Sequence, residues 1–327
     1  MPLFPSDITS PFRMQPGLSR LPPGQAQLTP NRPGDAHLDA KLAVLRAHAE
    51  QALCRLPDFD DGPALAALAA HATREHPEAW HSSIDRDGRH CHGVPLLGWC
   101  VNGERIEGDG PQAIGDCLHA LPPQWRAAGL LSLAFAEDLA VIETPPGGSG
   151  RIPWLAVCLP SHWAPETRLG LSFADVHAPV ADNEALLRAA DGLSQLVVTN
   201  GAQRWQRKVW TLTASGHLDG HPRRRPAADW PADADARTIG DLAWLRSEQQ
   251  SFIPVPGQPQ AVFTILVKLR RLREVLADPL DGSAFGRALH AAIASMSPAV
   301  LAYRRLDGVR DRLLAVLAAV DRSEEAI

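Results

Sequence analysis

Paired cysteines, long apolar runs, a basic excess and glycine-rich phosphate cradles are all missing from this chain. The five cysteines, Cys54, Cys91, Cys100, Cys117 and Cys158, include no C-x-x-C pair, so neither a disulfide framework nor an iron–sulfur ligand set is spaced here. They read as reduced thiols. No apolar run approaches the roughly 18 residues of a membrane span, and Met1-Pro-Leu-Phe-Pro-Ser-Asp7 has neither a basic leader nor a continuous apolar one. A soluble, cytoplasmic protein without membrane partners is expected. The 32 Lys+Arg against 37 Asp+Glu leave −5 at pH 7, so no overall field attracts nucleic acid. No P-loop or Rossmann glycine spacing occurs, and Arg151 stands after Gly147-Gly-Ser149-Gly150 where a nucleophile elbow requires glycine.

What remains is an ordinary globular composition, 45% hydrophobic and 21% charged over 327 residues, enough to bury a sizeable core. Residues 1–36 are rich in Pro and Gly, with scattered apolar anchors at Phe12, Met14, Leu18 and Leu21; they predict an extended arm over a folded body. The spacing of Leu38, Leu42, Leu45, Ala49 and Leu53 predicts a helix, and Ala64 to Glu75 after Pro63 a second. Asn102-Gly103 within Leu96 to Ile106 predicts a hairpin. Strands are expected at Leu130 to Ile142, Trp154 to Leu159, Leu196 to Thr199, Lys208 to Thr213 and Ala261 to Val267. Helical periodicity returns in Leu269 to Leu276, Phe285 to Met296 and Val309 to Val320, while Gly216 to Asp235 and Ala277 to Ser283 read as loops. The class is α+β, with residues 37–327 forming one domain; a split near residue 268 is the lesser alternative.

Several residues invite chemistry. His177 lies in Asp175-Val-His-Ala-Pro179, where Pro179 biases Ala178 toward extended backbone and a carboxylate such as Asp175 would set the imidazole tautomer. A core histidine satisfied by hydrogen bonds is the plainer alternative. Glu137 and Asp138 are adjacent on an expected strand and point to opposite faces; at least one is directed inward, to pair with an arginine such as Arg246 or to do chemistry. Arg204, Arg207 and Lys208 interleave with Trp205 and Trp210, either as an anion clasp with an aromatic wall or as a strand with one wet face. The basic run Arg223-Arg-Arg225 suits a solvated loop or docking of an acidic electron carrier. His90-Cys91-His92 and Cys117-x-His119 lack zinc-ligand spacing and read as a surface loop.

Four blocks, in shared order, carry a family resemblance: Glu137-Asp138-Leu139; Pro160-Ser161-x-Trp163 with Pro165, Arg168 and Gly170; Val176-His177-x-Pro179-Val180; and Arg246-x-Glu248-x-Gln250-Ser251 with Pro256. Phe12-Arg-Met14, Gly17-Leu18 and Val262-Phe263-Thr-Ile265 add to them. The order resembles the alpha subunit of haem-dependent oxidative N-demethylases. That resemblance implies a PAS-like antiparallel sheet wrapped by helices, holding haem b with His177 as the axial ligand of the iron. It places Trp163, Arg168, Arg207, Trp210, Arg246 and Gln250 around the cofactor, and Glu137 or Asp138 on the distal side as catalytic groups facing the amine or relaying protons. The implied reaction removes a methyl group from a small secondary amine with dioxygen and two electrons, releasing formaldehyde; the implied partner carries flavin and an iron–sulfur cluster. The chain departs from the family pattern at Gln249 and at Ile253-Pro254, where arginines are usual, and Arg168 replaces a usual lysine. A haem- or ligand-binding sensor, or a cofactor-free interaction protein on the same scaffold, is the alternative.

Overall fold

The computed structural model describes residues 3–84, 90–145, 147–199 and 203–324. From residue 3 to 35 the chain is largely irregular apart from a 3-10 turn at Pro5–Asp7 and one short strand, β1 (Leu18–Arg20). It is not loosely laid. Half-buried Glu75 accepts from the backbone N–H groups of Gln27 and Leu28 at 3.0 and 2.8 Å, and buried Glu137 accepts from Thr29 N–H at 2.8 Å. These three N–H groups have no sheet partner, so the carboxylates supply the acceptors that buried backbone requires.

Helix α1 (Ala36–Ala52) buries Leu38, Val44 and Leu45 and runs directly into β2 (Leu53–Arg55). Helix α2 (Gly62–Glu75) starts with Pro63 in its first turn, where a missing N–H costs nothing. A separate four-stranded sheet follows in meander order: β3 (His81–Ile84), β4 (His90–Val94), β5 (Trp99–Asn102) and β6 (Arg105–Gly108). The expected hairpin is β5–β6, turned at Gly103 with φ 57°. His90-Cys91-His92 lies in β4 and not in a surface loop; the ring of His92 is buried against Trp80, with centroids 5.4 Å apart. Helices α3 (Gln112–Ala120) and α4 (Arg126–Ala134) come next.

The main sheet takes β7 (Asp138–Glu143) and β8 (Arg151–Ala156); after α5 (Phe173–His177) and α6 (Glu184–Val198) it adds β9 (Trp205–Thr213). Beyond α7 (Ala236–Leu242) it is completed by β10 (Trp244–Pro254) and β11 (Gln260–Arg271). Its order is β1-β9-β10-β11-β7-β8-β2, antiparallel throughout, and its longest ladder pairs β10 with β11 from Trp244↔Arg271 to Pro254↔Ala261. Helices α8 (Leu272–Leu276), α9 (Gly282–Ala294), α10 (Pro298–Tyr303) and α11 (Arg310–Glu324) form the expected C-terminal layer, burying Leu272, Phe285, Leu289, Ile293 and Leu313 against Leu212 and Leu245 of the sheet. The first core lies elsewhere, between α1, α2, α4 and the residues Leu139, Val141, Trp154, Ile253 and Val262 of the sheet. No helix of the described residues is long and apolar enough to cross a membrane.

Three expectations are corrected. Leu130 to Ala134 is the end of α4, not strand: Leu130, Leu131 and Leu133 are all buried, and a helix buried all round has lost the periodicity that distinguishes it. Leu196 to Val198 closes α6. Strand β10, central to the sheet, was not anticipated, because Arg246, Glu248 and Gln250 give it one polar face and strand signals rest on apolar alternation.

Candidate functional site

Alternation along the central strands separates two environments. Residues 139, 141, 253 and 262 face the first core, while Ala140, Ile142, Gln250, Phe252, Phe263 and Ile265 line a cavity of about 580 Å³ on the other face. The size is that of a pocket for a drug-sized or cofactor-sized molecule. Apolar side chains from the arm (Met14, Leu18) and from α6 (Leu186, Leu193, Val197) close it.

The rim is the stretch 158–180, and buried charges hold its start. Asp138 accepts from the N–H groups of Cys158 and Leu159 at 3.0 and 2.6 Å. Lys41, fully buried, stands 3.2 Å from Asp138 and donates to the carbonyls of Phe135 and Glu137. Arg246 spends its donors on the same rim: Ser161 Oγ at 2.7 Å and the carbonyls of Leu159, Pro160, His217 and Leu218 at 2.9–3.2 Å. The loop bearing Gly220 packs so closely that a Cβ there would meet the Pro160 oxygen at 2.7 Å. Next to this clasp His162 adopts φ 63°, a conformation uncommon outside glycine, and its ring lines the cavity.

His177 ends the single-turn helix α5. Asp175, expected to orient it, caps the helix instead, accepting from Ser172 N–H and Oγ–H while Ser172 Oγ accepts from Asp175 N–H. The imidazole partner is the Phe173 carbonyl, 2.8 Å from Nδ1; because a carbonyl only accepts, Nδ1 carries the hydrogen and Nε2 the lone pair. The ring also stacks on Phe173, centroids 4.0 Å apart. Burial first, then the charges of Arg207 and Arg168, pull its pKa down to about 4, so it is neutral at physiological pH. Ala178 is helical (φ −55°, ψ −37°), not extended as Pro179 suggested: Val180 N–H closes a turn onto the His177 carbonyl, and Asn183 donates to the carbonyls of His177 and Ala178.

Six arginines line the cavity against one carboxylate, Glu248, among the described residues. Arg151 pairs with Glu143, Arg305 with Asp229, and Arg246 is committed to the rim. Arg168, Arg207 and Arg304 pair with no carboxylate among the described residues. Arg304 lies 4.5 Å from the Phe12 ring and 5.4 Å from that of Trp210, donates to the Trp210 carbonyl, and keeps a buried Nε without a partner; burial lowers its pKa to about 10. Burial likewise lowers the pKa of Arg207, opposed by the charge of Glu248. Desolvated cations without counter-charges are costly unless a ligand provides them.

The structure therefore brings His177, Trp163, Arg168, Arg207, Trp210, Arg246 and Gln250 to one cavity. It does not bring Glu137 and Asp138 there. Asp138 holds the rim from behind; Glu137 borders a separate chamber of about 120 Å³ with Gln27, Ser251 and Thr264, and burial raises its pKa. Neither pairs with Arg246. His162, Glu248, Tyr303 and Arg304 line the cavity but were not singled out from sequence as site residues; the alternation of polar residues at 246, 248 and 250 was the one signal available for Glu248. Of the basic run, Arg223 pairs with Glu166 and Arg224 with Asp219, so two of its three cations serve the fold.

An imidazole with an open lone pair, an apolar wall and surplus cations are the donors that a flat, apolar, metal-bearing group with acidic edges would use. Residues 112–314, more than half of the chain, match the family described as haem-dependent oxidative N-demethylase, alpha subunit-like, and the chain belongs to that family. The residues present fit haem. His177 offers a neutral nitrogen in the tautomer that ligation requires, and the orphaned Arg304 Nε with the unpaired Arg168 and Arg207 offers donors for propionates. The departures at 249 and 253 do not touch this cavity: Gln249 borders the small chamber and Ile253 lies in the first core.

Proposed function

We propose that this chain binds haem b through Nε2 of His177 and, with it, removes a methyl group from a small secondary amine. The observation that carries the reading is the His177 arrangement: Nδ1–H fixed on the Phe173 carbonyl, Nε2 free at a cavity with unpaired arginines. When bound, haem supplies the activation of dioxygen that a methyl C–H bond requires. The chain's own residues do the rest. Phe173 holds the imidazole plane and tautomer, Arg168, Arg207 and Arg304 neutralise the propionates, and Trp163, Phe252 and Phe263 exclude water from the apolar part of the cavity. Overall, the amine, dioxygen, two electrons and two protons give the demethylated amine, formaldehyde and water. The electrons come from a partner carrying flavin and an iron–sulfur cluster.

Glu137 and Asp138 act in this reading as positioning groups, setting the arm and the rim, not as acids at the substrate. We place the protein in the cytoplasm, as a single PAS-like domain of residues 37–327 with the arm 1–36 forming part of its cavity wall. The alternative of a non-catalytic sensor drew on the two absent arginines, and it loses that support because neither position borders the cavity. The isolated protein is expected to show a Soret band and to take up hemin stoichiometrically. His177→Ala abolishes that band while circular dichroism stays unchanged; full haem occupancy in that variant refutes the assignment.

A further inference from the structure

Behind the sheet, the small chamber of about 120 Å³ is walled on one side by the arm, through Gln25, Gln27 and Thr29, and on the other by Glu137, Ser251 and Thr264 of the body. These walls direct their hydrogens away from the space. Gln27 gives both Nε2 hydrogens elsewhere, to Ser251 Oγ and to the Phe252 carbonyl, each at 3.0 Å; because a carbonyl only accepts, the amide orientation is fixed and Oε1 is left without a donor among the described residues. Gln206 is fixed in the same way by Nε2 on the Arg20 carbonyl at 3.4 Å, so its Oε1 takes Nε2 of Gln25 at 3.2 Å, and Gln25 Oε1 stays buried with no partner. Ser251 Oγ and Thr264 Oγ1, 2.6 Å apart, share one hydrogen between them and keep at most one for the chamber. Glu137 is 2% exposed and accepts from Thr29 N–H, but it has no ion pair among the described residues: Lys41 pairs with Asp138 and meets Glu137 at its main-chain carbonyl. Lys41 and Asp138 neutralise each other, which leaves the Glu137 carboxylate without a counter-charge. An enclosed space bordered by a buried carboxyl group and by amide oxygens without donors accepts far more than it donates.

We infer that this chamber is a binding site for a monovalent metal ion, sodium or potassium, held with a few waters by Glu137 and the amide oxygens of Gln25 and Gln27. Hard cations take oxygen ligands, and every side-chain atom left open here is an oxygen. One carboxylate among neutral oxygens matches a single positive charge, whereas calcium sites commonly draw on several carboxylates and magnesium sites add substrate phosphates. The volume admits an ion together with water. The competing occupancy is water beside a protonated Glu137, which gives no dependence on the identity of the salt. The ion would tie the arm to the sheet, and the same arm carries Met14 and Leu18 into the wall of the large cavity. The site lies outside that cavity and needs no haem, so it stands or falls separately from the proposed reaction.

The test is thermal unfolding of the full chain in KCl, NaCl and choline chloride at equal ionic strength. The midpoint is expected to rise in KCl or NaCl relative to choline chloride, by about 2 °C for each tenfold increase in the ion above its dissociation constant. Glu137→Gln loses that ion-specific rise, and Gln25→Leu, at a partly exposed position of the arm, reduces it. Crystals soaked in thallium(I), a monovalent probe with strong anomalous scattering, are expected to show an anomalous peak inside the chamber. Equal midpoints in the three salts overturn the inference and leave the chamber to water. So does an ion-specific rise that survives in Glu137→Gln, or a chamber without the thallium peak. If Glu137→Gln does not fold, Gln25→Leu decides: an undiminished rise in that variant overturns the site, and a reduced one supports it.

Discussion

The two faces of the main sheet treat charge in opposite ways. Behind it, Lys41 and Asp138 are buried together, each hydrogen bond of the ammonium finding a carboxylate or carbonyl and each carboxylate oxygen an N–H. In front, Arg168, Arg207 and Arg304 have no carboxylate partner among the described residues, burial lowers the pKa of the latter two, and Arg304 Nε has no partner at all. Partnered burial holds the architecture; unpartnered burial marks a place reserved for something else. One strand carries both arrangements: β10 turns Arg246, Glu248 and Gln250 to the cavity and Gln249 and Ser251 to the small chamber behind.

The comparison breaks most visibly at Lys41. Lys41→Met strands the Asp138 charge and two carbonyls in the interior and is expected to cost about 3–5 kcal/mol in chemical denaturation; a loss under ~1 kcal/mol puts both faces in the same class. A smaller effect comes from the core side at low pH. Burial, helped by the charge of His90, holds buried His92 at about 4 against 6.5 in the unfolded chain. Between those values the unfolded chain binds the proton and the folded one does not, so stability falls as pH drops from about 6.5 toward 4. His92→Leu removes up to about 3 kcal/mol of that acid loss, seen as a flatter stability profile across the window. Smallest in stability is Arg207→Leu. The haem-free protein keeps its stability or gains about 1 kcal/mol, because an unpaired cation leaves a buried place. Haem retention nevertheless drops. A large destabilisation with unchanged haem uptake makes Arg207 an ordinary structural arginine and erases the contrast between the faces.

How much of this was legible in the sequence follows from the same contrast. Helices α1, α2, α9 and α11 and the β5–β6 hairpin announce themselves through one-sided apolar spacing or turn residues. Helix α4, buried all round, and β10, polar on one side, lack that signature, so each was misread or missed. The His177 block and Arg168 could be assembled from motif order, and Arg207 from its alternation with Trp205 and Trp210, but adjacency misled at Glu137 and Asp138. Inward direction says nothing of which interior a carboxylate enters, and both entered the side away from the cavity. His162 depends on a left-handed turn bonded to Gly220, and Arg304 on packing over Phe12 and Trp210, all contacts between residues far apart in the chain, and no local pattern encodes them.

The cavity wall joins Met14 and Leu18 to Arg304 and Arg305, nearly the whole span of the polypeptide. During synthesis the chamber has no complete outline until Arg304 and Arg305 have left the ribosome, although the arm's Met14, Pro16 and Leu18 were made first. A chain trimmed of its first 20 residues would lack Met14, Pro16 and Leu18, and with them the arm's whole share of the wall.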